Sequence, residues 1–187
     1  VQNGTAAAIG GRRGGDEGWG DFSSFVAARW TALVRTAYLL TGDFHEAEDL
    51  VQVTLAKVYP HWRGLRAETT DAYVRRALVN NNRSRHRRRR VAHLLMPFVP
   101  DRPAAADAGQ GDVAERDLLV SLLATLPERQ RTVVVLRYWE DLSAEEVAEL
   151  LGCSVGTVKS QASRALAKLR DLPELEEFAL TGLGAER

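Results

Sequence analysis

Apolar residues recur at spacings of three and four along most of this chain, the period of amphipathic helices, so the pattern predicts an all-α protein. The first helix runs from Phe22 to Leu40, with Phe22, Phe25, Val26, Leu33, Val34, Ala37 and Leu40 as core candidates. Thr41-Gly42 ends it. Asp43 caps a second helix, with Glu46 at the capping-box position. There Ala47, Leu50, Val51, Thr54, Leu55 and Val58 form the buried stripe, and Glu48, Asp49, Gln52, Val53, Ala56 and Lys57 the outer one. Pro60 fixes its end. His61 to Thr70 reads as a loop containing Trp62 and Gly64. A third helix starts near Thr70-Asp71, and Tyr73, Val74, Ala77 and Leu78 give it an apolar face for two turns. The face then stops and the chain becomes NNNRSRHRRRR. A helix that loses its core stripe and turns basic is expected to project along something anionic.

Val91 to Gly111 interrupts the periodicity. Pro97, Pro100 and Pro103 break regular structure, and Ala, Asp and Gly come after them, which makes a linker. Beyond it, Val113, Leu118, Leu119, Leu122, Leu123 and Leu126 define one helix. Pro127 opens another, in which Val133, Val134, Leu136 and Tyr138 pack beneath the next pair of helices.

That pair occupies SAEEVAELLGCSVGTVKSQASRALAKLR, Ser143 to Arg170. Ser143 and Glu146 have capping-box spacing. Ala144, Val147, Leu150 and Leu151 share a face. Gly152 suits the left-handed end of a helix, and Ser154 caps the next. On that helix Val155, Val158, Ala162, Ala165, Leu166 and Leu169 point inward; Thr157, Ser160, Gln161, Arg164 and Lys168 point outward. The small Ala148 lets the two helices cross closely. This arrangement suits a helix-turn-helix whose second helix enters the major groove of DNA. It also suits an ordinary helical hairpin with a solvated face.

The organisation is thus a tail over 1–20, a helical unit over 21–90, a flexible linker over 91–111, a second helical unit over 112–172 and a tail over 173–187. With 187 residues, 45% hydrophobic, the chain is long enough for two small cores. Its formal net charge of zero hides segregation. RSRHRRRR at Arg83 to Arg90 is strongly basic, whereas DFHEAED at Asp43 to Asp49 and the stretch Glu140 to Glu149 are acidic. Such patches govern partner choice more than the sum does. Phosphate neutralisation by the arginines would make affinity steeply salt-dependent. Asn80 to Asn82 carry side chains able to pair with base edges. The outer face of the second helix, with Val53 and Ala56 beside Asp49 and Gln52, reads equally as a partner surface or a solvated face.

Other chemistry is not suggested. One cysteine, Cys153, permits no internal disulfide and points to a reducing, cytoplasmic setting. The four histidines lack ligand spacing, so neither a metal nor another cofactor is expected. No apolar run approaches the roughly 20 residues of a membrane span. Paired carboxylates, nucleophile constellations and glycine-rich phosphate loops are all missing from the pattern, which argues against an enzyme.

The residues also carry a resemblance. LPERQRTVVVLRYWEDLSAEEVAELLGCSVGTVKSQASRALAKLR resembles region 4 of bacterial RNA polymerase sigma factors of the extracytoplasmic-function (ECF) group and, within it, the actinobacterial SigE-like subgroup. TAYLLTGDFHEAEDLVQVTLAKVY resembles regions 2.1 and 2.2 of that group, and DAYVRRALVNNNRSRHRRR regions 2.3 and 2.4. Together they span roughly Phe22 to Leu172. The family's first and third regions find no counterpart.

The resemblance implies a promoter-specificity subunit that binds core RNA polymerase, reads −35 and −10 elements and helps melt the duplex. By that likeness Asp49, Gln52, Val53 and Ala56 meet the clamp helices of the largest subunit. Arg76, Asn80, Arg83 and Arg87 hold the −10 region, with the loop Gly64 to Thr70 shaping a pocket for an unstacked base. Arg137, Thr157, Lys159, Ser160, Gln161, Ser163 and Arg164 engage the −35 element. An anti-sigma factor is a possible further partner. The chain departs from many relatives at Gln161, where they carry Arg; Gln prefers adenine and Arg guanine, so no −35 preference carries over. The competing reading is a stand-alone helix-turn-helix regulator, which leaves the first helical unit unexplained.

Overall fold

The computed structural model describes residues 16–95 and 113–173, and the described residues contain helices and turns but no strand. Residues 1–15, 96–112 and 174–187, which hold most of the expected tails and linker, lie outside them. The first unit comprises α1 (Asp16–Thr41), α2 (Phe44–Val58), a 3-10 segment (Tyr59–Gly64) and α3 (Ala67–Leu95). The second comprises α4 (Val113–Ala124), α5 (Glu128–Val134) with a π turn (Val135–Trp139), α6 (Ala144–Leu151) and α7 (Val155–Arg170).

Helix α1 begins inside the stretch expected to be tail, and α3 continues five residues into the expected linker, to Leu95. Gly42 terminates α1 in the left-handed region (φ 79°), with its amide donating to the Tyr38 carbonyl at 2.8 Å. The Asp43 carboxylate then accepts from the Glu46 amide at 2.8 Å, starting α2. The Glu46 side chain does not return to the Asp43 amide as a capping box would. It pairs instead with Arg89, a stronger charge-assisted interaction.

All six stripe residues expected for α2 are buried. With Val34 and Ala37 of α1 and Val74 and Leu78 of α3 they form the first core. Each fully buried Leu or Val contributes about 1.5–3 kcal/mol relative to an exposed one. Trp62 closes one end, its ring 5.0 Å from Phe22 and 4.9 Å from Phe25. Trp62 belongs to the 3-10 segment, so most of the expected loop is helical. Thr70 lies in the first turn of α3, its hydroxyl donating to the Arg66 carbonyl. The expected loop from Gly64 to Thr70 is therefore a short break between two helical segments.

The second core joins Leu123 of α4 and Leu126 of its following turn to Val133 to Leu136, and to Val147, Val158, Ala162 and Ala165 of the helix-turn-helix. Leu39, Leu40 and Val79 of the first unit belong to this cluster as well. The two units are thus packed against each other. This explains several departures from the expected stripes. Val120 is buried and Leu119 is exposed because α4 turns toward α1. Leu39 and Thr36 of α1 are buried on the side opposite the first core.

Tyr138, expected beneath the helix-turn-helix, is 55% exposed. The π turn is the cause: the Glu140 amide bonds back to the Val135 carbonyl, five residues away, so the register slips. Val135 and Leu136 face in, and Tyr138 and Trp139 face out. Tyr73 and Leu166, also expected inside, flank their buried lines and are 38% and 37% exposed.

Candidate nucleic-acid interface

The basic helix α3 divides its residues between two faces. Val74, Leu78, Asn82, Arg85 and Arg89 follow the body of the first unit. Asn82 is buried with its side-chain oxygen unpaired, and Asn81 bonds to Thr54 and Lys57 of α2. Arg85 donates to the Glu46 carbonyl at 3.2 Å, and Arg89 forms a two-pronged bridge to the Glu46 carboxylate. That bridge raises the Arg89 pKa. The helix therefore does not leave its domain where its apolar residues end: a carboxylate on α2 continues the docking that leucines began. Of Asn80 to Asn82, only Asn80 presents an exposed side chain.

Arg76, Asn80, Arg83 and Arg87 fall at helical spacings along the other face, and all four are exposed. This line faces the second unit. Arg76 Nη2 donates to the Glu149 carbonyl at 3.4 Å, and Arg83 Nη1 to the Leu151 carbonyl at 3.1 Å. Both carbonyls lie in the last turn of α6, where free carbonyls and the negative end of the helix dipole favour cations.

The helix-turn-helix is built as the sequence predicts. The Ser143 hydroxyl accepts from the Glu146 amide at 3.1 Å, and the Glu146 carboxylate accepts from the Ser143 amide at 2.7 Å. That pair of bonds lowers the Glu146 pKa. Gly152 has φ 65°, and the Cys153 amide donates to Ala148. The Ser154 hydroxyl accepts from the Thr157 amide and starts α7. Along α7, Thr157, Lys159, Ser160, Ser163 and Arg164 are exposed and Gln161 is half-buried. Arg137 lies upstream; its guanidinium donates to the Leu142 carbonyl and sits 5.8 Å from the Tyr138 ring centroid.

Between α3 and α7 lies a cleft of about 700 Å³. Asn80, Arg83 and Arg87 form one wall; Leu151, Thr157 and Gln161 form the other, with Glu128 and Arg129 of α5 also lining it. Asn80, Arg83 and Arg87 of one set of candidate DNA contacts and Thr157 and Gln161 of the other thus share one cavity, while Arg76, Arg137, Lys159, Ser160, Ser163 and Arg164 lie outside its lining. Arg129 was not among the expected contacts. Its place in the PERQR run gave no periodic signal to separate it from a solvated face.

Two further residues act at the junction of the units. Arg131 donates to the carbonyls of Leu40, Ala124 and Leu126, so one guanidinium closes the ends of α1 and α4. Burial lowers its pKa. Glu140 accepts from Arg75 Nε at 2.7 Å and from the Thr36 hydroxyl. Neither was legible as a contact, because each has a partner far away in sequence.

The outer face of α2 is separate from this cleft. Asp49, Gln52, Val53 and Ala56 are all exposed, Val53 at 48%. They form a small apolar spot edged by polar groups. Among the described residues no group of His, Cys, Asp and Glu is arranged to hold a metal. No helix among them is long and apolar enough to cross a membrane.

Two family profiles match, sigma-70 region 2 over residues 25–92 and sigma-70 region 4 over residues 116–169. The RNA polymerase sigma-E factor of Streptomyces avermitilis is 40% identical over 168 residues, covering 89% of this chain and 92% of its own. The chain belongs to the sigma-70 family. Within it the chain is an ECF sigma factor of the actinobacterial SigE-like subgroup. The ECF sigma factor SigE of Mycolicibacterium smegmatis is 34% identical over 142 residues, 73% of this chain and 55% of that one. Among solved structures, the sigma factor RpoE of Bartonella quintana, in complex with the anti-sigma factor NepR, has a TM-score of 0.67 at 28% identity. It covers 89% of this chain and 99% of its own. CnrH in complex with the cytosolic domain of CnrY gives 0.57 at 26% identity, covering 81% and 86%.

A sigma factor directs transcription initiation through core RNA polymerase and promoter recognition, and does no covalent chemistry itself. The region 2 match accounts for α1 to α3, which a stand-alone regulator left unexplained. The π turn, the helix-turn-helix and α5 fall within region 4; α2 and most of α3 fall within region 2.

Proposed function

We propose that this sigma factor uses three separate surfaces. The outer face of α2, at Asp49, Gln52, Val53 and Ala56, takes the clamp helices of the largest polymerase subunit. The line Arg76, Asn80, Arg83 and Arg87 on α3 engages the −10 element, the arginines on phosphates and Asn80 on an exposed base. Thr157, Lys159, Ser160, Gln161, Ser163 and Arg164 of α7 face the −35 element, with Thr157 near the backbone at the helix N-terminus and Arg137 on a flanking phosphate. The observation that carries this reading is the division of α3: Arg85 and Arg89 are spent on Glu46, while Arg76, Arg83 and Arg87 form a separate exposed row.

One solved structure of similar fold is a sigma factor in complex with an anti-sigma factor, and the other is held with the cytosolic domain of a second protein. That likeness supports an anti-sigma partner for this chain too. A cytoplasmic setting follows from its work on core polymerase.

In vitro transcription with core polymerase over a random promoter library tests the reading. Enrichment of templates sharing spaced −35 and −10 elements is expected, and uniform use of all templates would sink it. Asp49→Arg should abolish core binding while leaving helicity intact. Unchanged binding would remove the α2 surface from the scheme.

A further inference from the structure

We propose that the cleft between α3 and α7 is a binding site for a purine nucleoside di- or triphosphate. The site turns on Arg129 of α5, which the promoter-reading assignment does not use, so the two readings stand or fall separately.

The cleft has the size and the charge for such a ligand. Its volume of about 700 Å³ falls within the roughly 300–1,000 Å³ of small-molecule sites. Arg83 and Arg87 line it from α3 and Arg129 from α5, whereas Glu128 is the acidic side chain among its described lining residues. The ion pairs among the described residues take up Arg29, Arg75, Arg85 and Arg89 with Asp71, Glu140 and Glu46. None of the three cleft arginines belongs to one, and Arg83 donates to a neutral group, the Leu151 carbonyl, at 3.1 Å. Glu128 is next to Arg129 in the chain, yet it pairs with none of the three. Burial lowers the pKa of His86, which also lines the cleft, so near neutral pH its ring adds hydrogen-bonding capacity rather than charge. Like charges gathered in one cleft repel, and a bound polyanion removes that repulsion. Guanidinium groups are planar forks that take phosphate oxygens two at a time. A chain of two or three phosphates can answer several such forks at once, where a single phosphate cannot.

The rest of the lining suits a base rather than bare phosphate. Val133 of α5, Leu151 of α6 and Val158 of α7 supply apolar surface. Asn80 on one wall and Gln161 on the other each bring a side-chain amide, and neither amide is bonded to another described residue. The two asparagines that follow Asn80 are committed elsewhere: Asn81 bonds to Thr54 and Lys57, and Asn82 is buried. A carboxamide offers a donor and an acceptor side by side, which match N7 and N6 of adenine. The first turn of α7, a 16-residue helix, opens onto the same space at Thr157 and adds the positive end of its dipole. Phosphate-holding cations, an apolar surface and base-pairing amides thus line one space.

Titration calorimetry of the full chain with ADP, at two temperatures and about 0.15 M salt, tests the site. Saturable one-to-one binding is expected, with ADP held roughly tenfold more tightly than inorganic pyrophosphate or UDP because the amides discriminate the base. Arg129→Ala should weaken ADP binding by roughly tenfold, the loss of one charge-assisted contact. Glu128→Gln should strengthen it, since it removes the acid from the cleft. Arg88→Ala takes the same charge from an exposed position of α3 outside the lining and should leave binding unchanged. Arg129 is exposed, so its variant should keep the melting temperature of the unmodified chain. Absence of saturable binding at both temperatures would overturn the site. Equal weakening in Arg88→Ala and Arg129→Ala would reduce it to diffuse charge and overturn it as well. Pyrophosphate or UDP binding as tightly as ADP would overturn the assignment to a purine nucleotide.

Discussion

The two helical units close their cores in different ways. In the first, α1, α2 and α3 supply every buried residue of the cluster around Leu50, Val51 and Leu78. In the second, the cluster around Leu136, Val147 and Val158 takes in Leu39, Leu40 and Val79 from the first unit. The first unit is complete in itself, whereas the second rests on it. The difference has a local origin. The six-residue stripe of α2 supplies a wide apolar face. By contrast α6 is only eight residues long, α5 seven, and their small residues cover less surface.

The largest test of the comparison is Leu136→Ala, which empties a fully buried site of the second core and should cost about 2–5 kcal/mol. The loss should appear as lowered hydrogen-exchange protection in α5 to α7, with the amides around Leu50 unaffected. Equal loss in α2 would mean that the two cores melt as one. Next is Val79→Ala, at a residue of the first unit buried in the second core. Removing its two methyl-sized groups should cost about 2 kcal/mol. The cost should fall on the second core, lowering hydrogen-exchange protection in α5 to α7, while α2 and its core keep their stability.

A smaller effect separates the surfaces used by the two units. Arg164→Ala on α7 should weaken binding at a selected −35 site by about 1–3 kcal/mol, measured by titration of the holoenzyme on matched and mismatched promoters. Equal weakening on both would assign Arg164 to a phosphate.

The smallest expected effect is pH-dependent. His86 of α3 is pressed against the second unit. Burial lowers its pKa from the usual 6.5, with Arg131 and Arg89 acting in the same direction and Glu128 and Glu46 opposing. Unfolding returns it toward the ordinary value, so the folded form binds the proton more weakly than the unfolded chain. The fold is therefore unpenalised above about 6.5 and loses stability as pH falls below that value and through the lowered one. Mild acidification should lower the melting temperature, and His86→Gln should flatten part of that response. The same acid-induced loss in His86→Gln as in the unmodified chain would remove His86 from the folding energetics.

Much of this molecule is written locally in the chain. The α2 stripe, the Asp43 and Ser154 caps, the Ser143–Glu146 capping box and the Gly152 turn depend on residues within a few positions of one another. Hydrophobic period and capping chemistry act over that range, so they specify the helices, the helix-turn-helix and the outer stripes of α2 and α7 without reference to the rest of the fold, whereas the row Arg76, Asn80, Arg83 and Arg87 on α3 is what the family resemblance implies. Which face of a mixed helix is structural emerges only when the helices pack. Arg85 and Arg89 are indistinguishable from Arg83 and Arg87 until Glu46 is placed beside them. Tyr138 turns outward because a π turn shifts a register that simple periodicity assumes constant. Glu140 and Arg131 gain meaning only when Thr36, Arg75 and Leu40 arrive from the far end of the chain. Such pairings leave no periodic trace, since a charged side chain reads the same whether its partner is water or a group a hundred residues away.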